Sequence, residues 1–161
     1  MYIVGDKVVH PMHGAGKIES IVREKIGGAY HDYYVFKMAL NGLVLKIPTS
    51  NIEAIGIRPL GSYEQIEAVF IRLPQLSAEM NGNWNRRYHE NLERLKSGDL
   101  MEVAVVIKGL MLRDRQHGLS TGERKMLHTA KQILISEVSL VENVDYQLVE
   151  QRIDNAVKLQ P

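Results

Sequence analysis

Arg58-Pro59-Leu60-Gly61-Ser62 is where the chain changes character. Before it, apolar residues alternate in short runs. After it, they recur at helical spacing. Pro and Gly punctuate the boundary, and Ser62 is a capping residue placed just ahead of Ile66, Val69 and Phe70. The expected fold class is therefore α+β. A small SH3-like five-stranded β-barrel is expected over residues 1–59, and an all-α domain of about five helices over residues 60–161.

Upstream of the boundary the texture is β. Val4, Val8 and Val9 form an apolar run that stops at His10-Pro11, and Pro11 to Gly16 is turn chemistry. Ile18, Ile21 and Val22 open a second strand, which Gly27-Gly28 breaks as a two-residue hairpin signal. Tyr30 to Met38, rich in aromatic and β-branched residues, reads as a third strand. Asn41-Gly42 signals another hairpin. Beyond it, Leu43, Leu45 and Ile47 alternate with Val44 and Lys46, which places Lys46 on the face of Val44. Thr49-Ser50-Asn51 reads as a capped turn, and Ile55 with Ile57 as a last short strand. A core this small is marginal alone, so packing against the next domain or a partner is expected.

Downstream, a short helix starts after Ser62 and stops before Pro74. A second runs from Asn83 or Trp84 to Lys96, with Leu92 and Leu95 as its apolar marks, and ends at Ser97-Gly98. Asp99 caps the third, where Leu100, Val103, Ala104, Ile107, Leu110 and Met111 form an apolar stripe. Gly109 inside that helix indicates close packing. Ser120-Thr121-Gly122-Glu123 is a capping box that opens the fourth helix, with Met126, Leu127, Ala130, Leu134 and Val138 inward. Asp145 caps the last helix, with Leu148, Val149, Ile153 and Val157 inward.

Composition excludes several classes. With no cysteine there is no disulfide, thiolate nucleophile or Cys-based zinc site. No apolar run approaches the roughly 20 residues of a membrane span. The N-terminus lacks the basic and apolar regions of a secretory leader, so a cytoplasmic address is expected. Net charge is +1, but residues 84–131 carry ten Lys and Arg against six Asp and Glu, a local +4. Residues 132–161 carry two against five, or −3. Such asymmetry is the footprint of a local nucleic-acid patch, and ordinary surface fluctuation produces it too.

Catalytic and metal signatures are weak. His10 and His13 flank a turn without a third ligand at helical spacing. Gly14-Ala15-Gly16-Lys17 echoes a phosphate loop but lacks its full motif and is followed by a strand. No enzyme activity, metal or cofactor is expected. Tyr30, Tyr33 and Tyr34 suggest a methyl-lysine or peptide reader as an alternative function. Strand alternation puts Tyr33 and Tyr34 on opposite faces, which counts against a shared cage.

The basic helical region is the better candidate. Asn83-Trp84-Asn85-Arg86-Arg87-Tyr88 holds the only Trp. A lone Trp in a helical domain is ordinarily a core anchor, and a polar helix start beside two arginines suggests a surface contact instead. Arg86, Arg87 and His89 are expected to fan over the exposed face of this helix. Arg124 and Lys125 sit in the first turns of the capped helix, whose N-terminal amides favour anions. Two basic helix starts together suit a phosphate backbone.

At this point the chain resembles the CarD/CdnL family of bacterial transcription regulators. The resemblance is carried by Asn83-Trp84-Asn85-Arg86-Arg87-Tyr88, Asn91-Leu92-Glu93-Arg94-Leu95 and Ser97-Gly98-Asp99. Gly118-Leu119-Ser120-Thr121-Gly122-Glu123-Arg124-Lys125-Met126-Leu127 and Gly5-Asp6-Lys7-Val8-Val9-His10-Pro11-Met12-His13-Gly14 extend it over essentially the whole length. It implies a Tudor-like N-terminal domain that binds the RNA polymerase β subunit. It also implies a helical domain that contacts promoter DNA near the upstream edge of the −10 element. Trp84 would wedge into the minor groove and stabilise the open complex, with Arg86, Arg87, Arg124 and Lys125 on phosphates. His89 stands where relatives often have Lys. The polymerase contact would fall on Lys46 of the fourth strand and on Arg23, Glu24 and Ile26 of the second. A monomer is expected, with DNA binding that is weak alone and salt-dependent.

Overall fold

The computed structural model describes residues 1–158. Five strands form one antiparallel sheet: β1 (Lys7–His10), β2 (Gly14–Ile26), β3 (Ala29–Met38), β4 (Val44–Pro48) and β5 (Arg58–Pro59). Their order is β4-β3-β2-β1-β5. Turn chemistry sets the hairpins. Gly27 (φ 60°) and Gly28 (φ 84°) both adopt the positive φ that a tight β2–β3 turn requires. At Asn41-Gly42 the Asn41 side-chain oxygen accepts the Leu43 N–H at 2.9 Å. A register shift between Ile18 and Ser20 bends β2. The bend lets the strands curl over Val8, Ile18, Tyr34, Phe36, Met38, Ile47 and Ile57, which form the core of this domain.

Three expectations for this half fail. Gly14 to Gly16, expected in the turn, already pair with β1 as the start of β2. Ile55 lies in a short helix, α1 (Ile52–Ile55), because the turn at Thr49–Asn51 is already a 3-10 helix and continues as one. Gly56 (φ 93°) ends it, and the last strand forms one step later at Arg58–Pro59. Val4 is exposed and precedes β1.

The helical half comprises α2 (Tyr63–Arg72), α3 (Trp84–Lys96), α4 (Leu100–His117), α5 (Thr121–Glu142) and α6 (Tyr146–Lys158). The caps are those the sequence announces. Ser62 and Gln65 close a complete capping box on α2. Asn83 and Asp99 cap α3 and α4 through the backbone N–H groups of Arg86 and Met101. The central helix α4 is buried around most of its circumference. Gly109 permits this, since a Cβ there would stand 2.1 Å from the methyl of Met80. Lys108 is buried in the same helix. Its ammonium donates to the carbonyls of Leu73, Pro74 and Leu76 at 3.0, 2.9 and 2.7 Å. These carbonyls follow the end of α2, where only that of Leu73 accepts a backbone N–H, from Leu76 at 3.4 Å, so the lysine serves as their cap. Burial pushes the Lys108 pKa down. On α6, Val149, Ile153 and Val157 are buried as expected. Leu148 is 60% exposed, because that stripe turns past it.

The two halves share a core. Val9 and Ala15 of the sheet pack into the helical cluster with Ala130, Ile133 and Leu134 of α5. The Ala15 N–H donates to Ser136 Oγ at 2.8 Å. Glu137, wholly buried on α5, accepts both Arg58 guanidinium nitrogens at 2.8 and 2.6 Å, and the Gly61 N–H at 2.7 Å. The residues that punctuate the sequence are thus the ones that tie sheet to helices.

Candidate nucleic-acid interface

Trp84 is the first residue of α3 and is 42% exposed. It is held nonetheless. One turn on, Tyr88 stacks against it with centroids 5.0 Å apart and planes 16° from parallel. The indole Nε1–H donates to Ser120 Oγ at 3.0 Å. Ser120 is the N-cap of α5, accepting the Glu123 N–H at 3.2 Å. The ring edge also lies over Gly122, whose Cβ position would be 3.6 Å from Trp84 Cζ2. The stacking pair is worth about 0.5–1.5 kcal/mol. A net hydrogen bond of this kind adds roughly 0.5–1.5 kcal/mol. Together they offset the rotamer entropy of one side chain, about 1 kcal/mol, so the ring stands in a preferred orientation while remaining open to solvent.

The starts of α3 and α5, 36 residues apart in sequence at Trp84 and Ser120, therefore meet in space. Arg86, His89, Arg124 and Lys125 are all exposed around this junction. Arg86, Arg124 and Lys125 have no carboxylate partner among the described residues. His89 presents its ring edge-on to Tyr88, with centroids 6.2 Å apart. An exposed aromatic flanked by unpaired cations at two helix N-termini can insert an apolar face beside phosphates.

Arg87 is the correction. It is not on the exposed face: its side chain is 3% exposed. Its guanidinium donates to Glu123 at 2.7 and 3.3 Å and to the carbonyls of Asn81 and Gly82 at 3.0 and 3.2 Å. Arg87, Asn91 and Leu95 form the buried stripe of α3. An arginine is tolerated there because Glu123, equally buried, neutralises it. The Arg87 guanidinium in turn holds the Glu123 carboxyl below the usual carboxylate range. Glu123 therefore does not complete the capping box by reaching back to the Ser120 backbone; it turns inward. The helix spacing of Arg87 with Leu95 was the signal for this burial.

On the sheet, β2 and β3 run past the core as a two-stranded ribbon tipped by Gly27-Gly28. Register decides which side chains meet. Glu24 pairs across from His31, and Lys46 from Val35, so Glu24, Ile26 and Lys46 point to one face. The Lys46 ammonium makes an ion pair with Glu24 there. Ile26 and Val44 are each 52% exposed on the same side. Arg23 does not join them: it points to the opposite face and pairs with Asp32 at 2.9 Å. The three tyrosines do not close a cage. Tyr34 is buried, its hydroxyl donating to the Tyr2 carbonyl at 3.2 Å. Tyr33 faces the other way, and Tyr30 is exposed near the ribbon tip, where the Lys25 ammonium lies 5.6 Å from its ring. The rings of His10 and His13 lie 4.6 Å apart, with His10 Nδ1 accepting the Met12 N–H at 3.0 Å. Burial, then the His13 charge, lowers the His10 pKa to about 4. Among the described residues, no cluster of three His, Asp or Glu side chains is arranged to hold a metal, and no helix is long and apolar enough to cross a membrane.

Comparison with known proteins agrees with this architecture in both halves. Residues 2–61 match the CarD-like/TRCF RID domain family, whose Tudor-like fold corresponds to the sheet. Residues 68–154 match the family described as CarD, C-terminal domain. A putative transcription factor, YdeB of Bacillus subtilis (strain 168), is 32% identical over 144 residues, which is 89% of this chain and 94% of the relative. The chain belongs to the CarD-like family of transcription factors.

Proposed function

We propose that this protein binds the RNA polymerase β subunit through the sheet domain and promoter DNA through the helical domain, stabilising the open promoter complex. The observation that carries the reading is the exposed, braced ring of Trp84 between the basic starts of α3 and α5. A minor-groove wedge must present an apolar face without first reorganising, and must be flanked by cations for phosphate. Trp84 meets the first requirement. Arg86, Arg124 and Lys125 meet the second, with His89 exposed beside them. Arg87 is withdrawn from the phosphate contacts and kept as their support. The expected target is the upstream edge of the −10 element, where base steps are already unstacked in the bubble.

On the sheet, Lys46, Glu24 and Ile26 form the expected polymerase contact, with Val44 extending its apolar part. Arg23, on the reverse face, drops out. The Lys46–Glu24 ion pair would exchange partners on binding, a small cost because exposed pairs are worth about 0–1 kcal/mol. DNA affinity of the free protein should be weak and steeply salt-dependent. The test is the lifetime of competitor-challenged open complexes on a promoter limited by opening. The protein should prolong it. Trp84→Ala should remove the effect and retain β-subunit binding. An unchanged lifetime with Trp84→Ala refutes the reading.

A further inference from the structure

We infer that the buried Arg87–Glu123 ion pair is a positioning device for Trp84, transmitting its hold to the indole through Ser120. The inference rests on the reading of Trp84 as the DNA contact. The connections form one polar chain. Arg87 Nη1 donates to the carbonyls of Asn81 and Gly82, fixing the segment that leads into α3. Its Nε and Nη2 donate to the Glu123 carboxylate across the helix junction. That carboxylate also accepts the Ser120 hydroxyl at 3.4 Å. With its proton so directed, the Ser120 oxygen presents lone pairs to the Glu123 N–H and to the Trp84 indole N–H.

Three features favour positioning over plain stability. Arg87 follows Trp84 by three residues, so fixing its fork on Glu123 fixes the rotation of α3's first turn. A bidentate fork constrains orientation more than a point charge or an apolar contact does. A buried ion pair is also a poor device for stability alone, since apolar pairs of similar volume often match it. Here it sits where two helix starts must keep register for a ring that is otherwise exposed. One consequence concerns specificity. The indole N–H is already used by Ser120, so Trp84 meets DNA with its ring face alone and reads no base edge.

The experiment uses the full chain and its single tryptophan, with Glu123→Gln and Ser120→Ala as separate variants. Glu123→Gln should increase iodide quenching of Trp84 and lower its fluorescence anisotropy in the free protein. It should shorten the open-complex lifetime roughly two- to thirtyfold, the range expected for couplings of this kind, with β-subunit binding unchanged. A lower melting temperature with quenching and anisotropy unchanged overturns the inference, because a merely structural pair moves only the former. Altered quenching with an unaltered lifetime overturns it too. If Glu123→Gln does not fold, Ser120→Ala tests the last link alone: quenching must rise and the lifetime must shorten, and unchanged quenching is refutation. A lifetime insensitive to Trp84→Ala sinks the functional reading itself. A lifetime sensitive to Trp84→Ala but not to Glu123→Gln sinks only the positioning.

Discussion

Glu137 ties the sheet to the helices through Arg58 and Gly61, and its loss should be measurable as stability. Its side chain is fully buried, and the Arg58 side chain it holds is 23% exposed. Glu137→Ala leaves the Arg58 guanidinium and the Gly61 N–H without the acceptor that both now share at 2.6–2.8 Å. Breaking a buried pair from one side costs about 3–5 kcal/mol. Partial exposure lets water recover some of the Arg58 hydration, which points to the lower end, about 3 kcal/mol. Glu137→Gln keeps the shape and one acceptor, and should cost about 1.5–3 kcal/mol, the value of hydrogen bonds to a charged group. Urea unfolding followed by far-UV circular dichroism reads both. With a slope of about 1–3 kcal/mol/M for small proteins, Glu137→Ala should lower the midpoint by about 1–3 M. The double variant Arg58→Met/Glu137→Leu should lose less than the two single variants combined, because it strands no charge. A Glu137→Ala cost below about 0.5 kcal/mol, the range of ordinary surface substitutions, would show that the junction is held by Val9, Ala15 and Ser136 instead.

Three further outcomes are expected. Lys46→Glu places a second carboxylate beside that of Glu24; it should change folding stability by less than about 1 kcal/mol and abolish capture by the β subunit in a pull-down. Arg124→Ala/Lys125→Ala should reduce the dependence of log affinity for DNA on log salt by about 2, one for each phosphate released, in fluorescence-anisotropy titrations across salt concentrations. His10 should make the protein less stable in mild acid. Its folded pKa is lowered to about 4, so the unfolded chain binds the proton first, and stability falls as pH drops from the ordinary histidine range toward 4. Protonation also destroys the acceptor for the Met12 N–H. Discounted for the solvent-facing part of the ring, the loss is about 1 kcal/mol, and His10→Gln should lack it in pH-dependent urea titrations.

Much of this molecule is legible in its sequence because short-range chemistry dictates it. Gly27-Gly28 and Asn41-Gly42 are turns for reasons contained within a few residues. Ser62, Asn83, Asp99 and Ser120 cap helices where their side-chain oxygens meet unpaired N–H groups. The exposed Trp84 is legible for a similar reason: a polar, basic first turn gives a large ring no apolar neighbours but Tyr88. Long-range pairing is what hides the rest. Arg87 reads as a surface cation until Glu123, far along the chain, comes within 2.7 Å of it. Lys108 carries no signal within its own helix, because the carbonyls that receive its ammonium come from the segment after α2. Arg23 and Lys46 look like partners until strand register sends them to opposite faces. Ile55 carries strand propensity, and the helical turn that precedes it overrides that preference. For Arg87, Lys108 and Arg23 the deciding contact lies outside the window that propensity and periodicity sample; for Ile55 it lies in the turn next door.

The central proposal is that Trp84 enters the upstream edge of the bubble. A 2-aminopurine placed there reports stacking directly through its fluorescence. In open complexes formed by polymerase alone it should give one signal. Adding the wild-type protein should change that signal as the indole displaces a neighbouring base. Adding Trp84→Ala, at a concentration where its β-subunit binding is saturated, should leave the polymerase-only signal in place. Equal changes with both proteins would mean that the ring does not reach the DNA.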